Sequence, residues 1–476
     1  MDPMTCRAAA RILVHFRRFP NSNWRHYASK ARPHPETLGT YRALRHFDEF
    51  YAAMFGDVWP SVRLALLCPN KPCALSNTFS LDTEDMQKRL RSLGALSLRN
   101  LCERRVATAA KPQDSEPATR WGVMSIPCTR TYSLCLELAE PPIEDAATAD
   151  SAASTEQSFD ERSRYMPAND TSPSLMSFVP SSRLVYQEDQ ISEDSYHGFY
   201  KPDADVRLPV KCWPLGREPI FRGKLDVAMF PTGDISTFPP PRRSGKERLL
   251  DYYLMDGASV LPVLALDLQQ GDELADLCAA PGGKLLAALC TGLLGRAVAC
   301  DASSSRVKRL RECLRSYVPE KQLHKVSVLH HNLLSPGSLG WQFDKILLDV
   351  PCTNDRLSVA EDDNNWFSQK RQQERLELPQ RQMDMLCQAL PLLRFGGSLV
   401  YSTCSLSPIQ NDGVVHMALQ QLQRTSSAQY AVVDLSEAFA PLPFRFFEGC
   451  RYGQLALPYL PNNVGPLYVA RIERIR

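Results

Sequence analysis

The 476-residue chain has no apolar stretch long enough to cross a bilayer, so no helical membrane span is expected. Its fifteen cysteines contain no C-x-x-C pair. That argues against zinc ribbons and disulfide scaffolds and for reduced thiols in a reducing compartment. A surplus of one charge is missing too. The net charge is +2, so this is not a broadly basic nucleic-acid binder, and such contacts must come from local patches or a partner. Acid is absent from Pro3 to Pro35, where Arg7, Arg11, Arg17, Arg18, Arg25, Lys30 and Arg32 stand. The apolar run from Ala8 to Phe16 is broken by charge, as in a mitochondrial transit peptide (residues 1–35) rather than a secretory signal. A disordered basic arm is the alternative. No internal repeat is visible.

Three compositional regions follow. Residues 41–105 carry helical periodicity with basic spots and read as a small, mostly helical N-terminal lobe, within 40–136. From Glu137 to Asp205 the chain turns to Ser, Asp, Glu, Pro and Ala. Such a segment buries too little apolar surface to offset its ordering entropy, so 137–205 is expected to be a disordered acidic insertion or linker. From Asp251 short apolar strands alternate with helices. Strands are expected at Glu273–Leu277, Ala297–Cys300, Lys325–His330, Lys345–Asp349, Gly397–Ser402 and Gly465–Ile475. Helices are expected at Lys284–Leu289, Ser304–Tyr317, Gln380–Leu390 and Ile409–Gln423. This pattern predicts an α/β fold with a doubly wound, mostly parallel sheet over 215–476. Ligands bind such sheets at the carboxyl ends of strands.

Chemistry-bearing residues fall at those ends. Cys278-Ala279-Ala280-Pro281-Gly282-Gly283-Lys284 is a small-residue turn after a strand. It is either a plain tight turn or a cradle where backbone N–H groups meet a ligand beside a helix N-terminus. A phosphate loop would need Gly at Cys278 and Ser or Thr at Leu285, and fails at both. Asp301 could accept both hydroxyls of a ribose or cap the helix beginning at Ser304. Asn332 closes the next strand. Asp349 and Cys352 share the segment Asp349-Val350-Pro351-Cys352, and Cys404 lies in Thr403-Cys404-Ser405. A buried thiol is usually inert core. Here two thiols and an acid follow a ligand-cradling turn, which suits cofactor-dependent covalent chemistry.

These motifs resemble the Sun-type RNA cytosine-5 methyltransferases. Longer stretches carry the likeness too: Phe55-Gly56-Asp57-Val58-Trp59-Pro60-Ser61, Gly233-Asp234-Ile235-Ser236 and Tyr252-Tyr253-Leu254-Met255-Asp256. The resemblance covers roughly residues 40–105 and 215–476 and is greatest to the mitochondrial branch acting on small-subunit ribosomal RNA. It implies a Rossmann-like fold that uses S-adenosylmethionine. Carbon 5 of cytosine is a poor nucleophile until a thiolate adds to carbon 6; a base must then remove the carbon 5 proton.

By resemblance, Cys278 to Lys284, Asp301, Asn332, Leu333 and Asp349 hold the cofactor. Asp349 also hydrogen-bonds the cytosine near nitrogen 3. Cys404 is the nucleophile and Cys352 the base or release group; spacing alone leaves the two thiols interchangeable. The family usually has Thr at Leu285 and Asp at Asn332. Arg306, Lys308, Arg309 and Arg315 form one candidate RNA-contacting face and Lys370, Arg371 and Arg375 another, although charge runs are also ordinary solvated helix faces. No separate RNA-binding module is recognisable. The resemblance therefore implies a heterodimer with a helical-repeat protein of the transcription-termination-factor family, in the mitochondrial matrix. Mitochondrial transfer RNA is the rival substrate, and an assembly factor with dispensable catalysis the rival class.

Overall fold

A computed structural model describes residues 38–109, 208–212, 221–335 and 340–476. The expected transit segment (1–35) and the acidic insertion (137–205) lie outside the described residues. In chain order, the elements used below begin with helices α1 (Gly39–Phe55) and α2 (Trp59–Leu66) and strand β1 (Pro72–Ser76). Next come α3 (Thr83–Ser92), β2 (Leu96–Ser97), α4 (Leu98–Ala109), β3 (Val210–Cys212), β4 (Val227–Met229), β5 (Tyr252–Asp256) and α5 (Leu261–Leu266). The sheet region holds β6 (Glu273–Asp276), α6 (Gly283–Cys290), β7 (Arg296–Asp301), α7 (Ser304–Tyr317), β8 (Val326–His330) and β9 (Phe343–Asp349). The chain continues with α8 (Asp355–Ala360), α9 (Gln372–Ala389), β10 (Leu393–Thr403), α10 (Val414–Thr425), β11 (Tyr430–Asp434) and β12 (Leu467–Arg474).

The large sheet runs β8-β7-β6-β9-β10-β12-β11-β3, and a short hairpin joins β12 at Gln454–Ala456. The five strands from β8 to β10 are mutually parallel. The closing strand β12 runs antiparallel to both β10 and β11. Its side chains explain why the parallel strands form. Leu274, Ala299, Leu347 and Val400 pack on one face with α5, α6 and α7. Their chain neighbours Ala275, Val298, Ile346 and Leu399 pack on the other with α1, α9 and α10. A strand buried on both faces needs an unbroken apolar run, which is the pattern these segments carry.

The N-terminal region is helical, joined by two short strands that the sequence pattern did not single out. Alanine and aromatic residues at Ala43, Phe47, Tyr51 and Phe55 recur every four positions and bury one face of α1. Strand β1 pairs antiparallel with β4 and β5, and β2 with β4, giving a small sheet of order β2-β4-β1-β5. Two of its four strands come from beyond residue 220.

Arg356 on α8 ties this region to the chain's end. Its guanidinium donates to the carbonyls of Ala65, Cys68 and Gly465 and to Asn463 Oδ1, at 2.7–2.9 Å. Asn463 Nδ2 also donates to the Ala65 carbonyl at 2.9 Å. Arg356→Met keeps the stem but leaves these acceptors short of donors. It should lower stability by about 2–3 kcal/mol, read as a reduced midpoint in urea unfolding with unchanged slope.

Candidate active site

Strand β6 delivers the small-residue turn. Its backbone is sewn to both neighbouring strands: Leu277 N–H donates to the Leu347 carbonyl at 3.0 Å and Ala279 N–H to Cys300 at 2.8 Å. The Ala280–Pro281 peptide is cis and Gly282 sits at φ +116°, a conformation open to glycine. A Cβ there would lie 2.9 Å from Leu310 Cδ1 on α7, and one on Gly283 would lie 2.9 Å from the Tyr253 ring. The glycines thus admit close packing of α7 and Tyr253 around the turn.

Asp301, at the end of β7, is buried. Its Oδ1 accepts from Ser303 N–H at 3.0 Å, and Arg306 lies 3.4 Å from its Oδ2. The helix cap anticipated for Asp301 is supplied by Ser303, whose hydroxyl accepts from Arg306 N–H. Arg306 reaches back to the turn and donates to the Ala280 carbonyl at 2.6 Å. Asn332 is exposed one strand over, its Oδ1 accepting from Leu334 N–H at 3.2 Å, with Leu333 half-buried beside it. His331 N–H donates to the Asp301 carbonyl, so Asp301 and Asn332 mark adjacent strand ends.

The remaining expected residues converge. Asp349, ending β9, accepts from Lys284 Nζ and from Ser402 Oγ, each at 2.7 Å. The sulfurs of Cys352 and Cys404 lie 3.6 Å apart, and Cys404 N–H points at Cys352 Sγ, 3.2 Å away. The hydrogen bond with Cys352 and then burial push the Cys404 thiol well above the usual range, while Lys284 pulls the other way. Burial works to discharge Lys284, but Asp349, Cys404 and Asp276 outweigh it and hold the ammonium above the ordinary lysine range.

Sequence reasoning missed the framework. Asp355, fully buried, accepts from Tyr51 Oη (2.9 Å), Thr353 Oγ1 (2.5 Å), Ser405 Oγ (3.2 Å) and Leu406 N–H (2.7 Å). Gln382 Nε2 donates to the Pro351 carbonyl at 2.7 Å, and Gln410 Oε1 accepts from Thr353 N–H at 3.2 Å. Together these hold the Cys352 and Cys404 loops to one another. The only sequence signal was a carboxylate three residues after the Pro-Cys pair. Asp276 was missed as well. It ends β6, is 2 % exposed, and its Oδ1 has no hydrogen-bond partner among the described residues.

The model of 16S rRNA methyltransferases RsmB/F matches residues 263–471, which span the turn, both cysteine loops and the sheet. The chain is 34% identical to mouse 5-cytosine rRNA methyltransferase NSUN4, over 97% of this chain and 96% of that one. It belongs to the 5-cytosine rRNA methyltransferases. Zebrafish mitochondrial tRNA (cytosine(34)-C(5))-methyltransferase is 37% identical over 48% of the chain and 62% of its own length. The crystal structure of PH0851 shares the fold, with TM-score 0.50 and 15% identity over 93% of this chain and 70% of that one. The methyltransferase therefore has a Rossmann-like core and uses S-adenosylmethionine.

Burial, with Asp349 nearby, raises the Asp276 carboxyl to about 7. The native enzyme then holds a proton on Asp276 that the unfolded chain releases near pH 4, so this group's contribution to stability falls as pH rises from about 4 to 7 and is flat above. Asp276→Asn removes that loss. The variant should gain stability relative to wild type between pH 5 and pH 8, by on the order of 2–3 kcal/mol, as read by urea unfolding at both pH values.

Proposed function

We propose that this methyltransferase acts in mitochondria on carbon 5 of a cytosine in small-subunit ribosomal RNA, with Cys404 as nucleophile. The carrying observation is the convergence of Cys404, Cys352, Asp349 and Lys284 within hydrogen-bonding reach at adjacent strand ends. Cys404 Sγ adds to carbon 6 of the ring. Its raised pKa means that the resting group is the thiol, so as the sulfur attacks, its proton passes by way of the Asp349 carboxylate to ring nitrogen 3, which gains the electron pair displaced from the carbon 5–carbon 6 bond system. Asp349, fixed by Lys284 and Ser402, hydrogen-bonds the ring near nitrogen 3 and stabilises the adduct. Cys352 faces Cys404 across 3.6 Å, takes part in removing the carbon 5 proton and frees the thiol from the product.

The residues fit the cofactor. Turn 278–284 offers backbone N–H groups at the start of α6, Asp301 and Asn332 stand at the next strand ends, and Leu333 supplies apolar surface. The orphaned Asp276 Oδ1 is a buried acceptor beside the turn, suited to a cationic ligand. S-adenosylmethionine supplies the methyl group when bound there.

The acid-free basic stretch before residue 36 supports mitochondrial import into the matrix, and the zebrafish relative is itself a mitochondrial enzyme. The near-neutral charge supports a heterodimer with a helical-repeat protein of the transcription-termination-factor family, which would bring RNA affinity and link methylation to assembly of the small subunit. The zebrafish likeness also favours a second reading, mitochondrial transfer RNA. Bisulfite sequencing of mitochondrial RNA with and without the protein separates the two: loss of a ribosomal 5-methylcytosine supports the first, and loss confined to transfer RNA the second.

Substitution of the thiols tests their roles. Cys404→Ala should abolish methyl transfer, a fall of at least about 10³-fold, with cofactor affinity nearly unchanged by calorimetry. Cys352→Ala should let the adduct form but slow its breakdown, so a covalent protein–RNA band accumulates on denaturing gels. Wild-type turnover by Cys404→Ala would reassign the nucleophile.

A further inference from the structure

Of the two basic clusters in the sequence, one is largely absorbed by the fold, only its Lys370 being exposed. Arg371 stacks 3.6 Å from the Trp366 ring and forks onto Glu374 at 2.7 and 3.0 Å, and Arg375 lies over Phe367. The other cluster is enlarged by a segment that the sequence did not single out. The two-stranded hairpin of Arg243–Ser244 and Leu249–Leu250 packs against α7. Asn77 joins them, its Nδ2 donating to the carbonyls of Leu250 (2.7 Å) and Tyr317 (2.9 Å). Residues 242–248 and 304–317 hold nine basic and two acidic residues, in a chain whose net charge is +2. Arg242, Arg243, Lys246 and Arg248 on the hairpin are exposed, as are Lys308 and Arg309 on α7; none of the six side chains is ion-paired among the described residues, Arg243 Nη1 donating only to the Arg248 carbonyl at 3.0 Å and Arg242 meeting Asp251 only through its backbone N–H. The acids present are Glu247 and Glu312.

We infer that the hairpin and α7 form one phosphate-gripping face that feeds RNA to the methyl-transfer centre. The inference rests on the reading of the chain as an RNA methyltransferase. Position supports it. The inner side of α7 carries Arg306, which donates to the Ala280 carbonyl, and Leu310, which abuts Gly282. The hairpin leads directly into β5, whose Tyr253 touches Gly283, next to the Lys284 that holds Asp349. The helix and hairpin that carry these charges therefore flank the cofactor turn. Chemistry supports it too. Exposed guanidinium and ammonium groups with no carboxylate on them release counterions when they meet phosphates. They carry no base-reading information, which leaves specificity to the partner and to the cysteine pocket.

The test uses the full-length protein carrying Arg243→Gln, Lys246→Gln and Arg309→Gln together, with Lys370→Gln, an exposed lysine of the other cluster, as a control. Binding of a labelled small-subunit ribosomal RNA fragment and of poly(U) is measured against salt. The triple variant should bind both roughly tenfold more weakly, with a log–log salt slope shallower by about 2, as expected for three lost contacts on a single strand. Its KM for RNA should rise, with kcat at saturating RNA and cofactor affinity by calorimetry unchanged; Lys370→Gln should match wild type throughout. Wild-type affinity and slope in the triple variant would overturn the inference, as would loss of binding to a protein partner with RNA binding intact. Failure of the wild-type enzyme to methylate ribosomal RNA would instead sink the functional reading, while the salt slopes still decide the face.

Discussion

A carboxylate withdrawn from water must draw its hydrogen bonds from the protein around it, or its burial is costly. Asp355 meets this demand from three directions. Tyr51 reaches it from α1, Thr353 from the Cys352 loop, and Ser405 and Leu406 from the Cys404 loop. Burial still outweighs these donors and raises its pKa. With Gln382 and Gln410, this side chain holds the Cys352 and Cys404 loops at the separation on which the proposed chemistry rests. It also makes the N-terminal helix part of the centre's support, since Tyr51 is its contribution.

A second constraint is electrostatic. Asp276, Asp301 and Asp349 end three neighbouring strands, β6, β7 and β9, and Lys284 is the cation among them, bonded to Asp349. Parallel strands bring these ends together, so the fold itself concentrates like charge. The enzyme manages it unequally. Asp349 is paired, Asp301 is bonded by backbone N–H groups and Arg306, and Asp276 is left to hold its proton to about pH 7. Strongly perturbed carboxylates of this kind cluster at functional sites.

Much of this was legible in the sequence where local pattern decides structure. Helix Ser304–Tyr317 stands as read, because an N-cap serine and a buried stripe define it. The strands of the parallel sheet were visible as short apolar runs, since both faces are covered. Direction was not: β12 is as apolar as its neighbours, and only its connection turns it antiparallel. Long-range strand pairing was also invisible. Ala74 pairs with Leu254, and no spacing rule announces it, whereas the meeting of Cys352 and Cys404 across 52 residues was expected from their places at strand ends. Lys284 was read as a turn residue, and its bond to Asp349 required the fold. The basic hairpin was passed over because Arg, Lys, Ser and Gly together look like any solvated turn.

The small sheet β2-β4-β1-β5 alternates strands from before residue 110 with strands from after 220. Each segment's edge is completed by the other, and Arg356 and Asn463 add bonds from the chain's last third to residues 65–69. The covalent link between α4 and β3 therefore does not hold the core together. Among the described residues, the bonds between the two sides are made by residues up to 109 and from 221 onward. In this sense the enzyme is already a two-chain protein written as one. The cysteine pocket draws on both sides of that stretch, Tyr51 before it and Cys352, Asp355 and Cys404 after it.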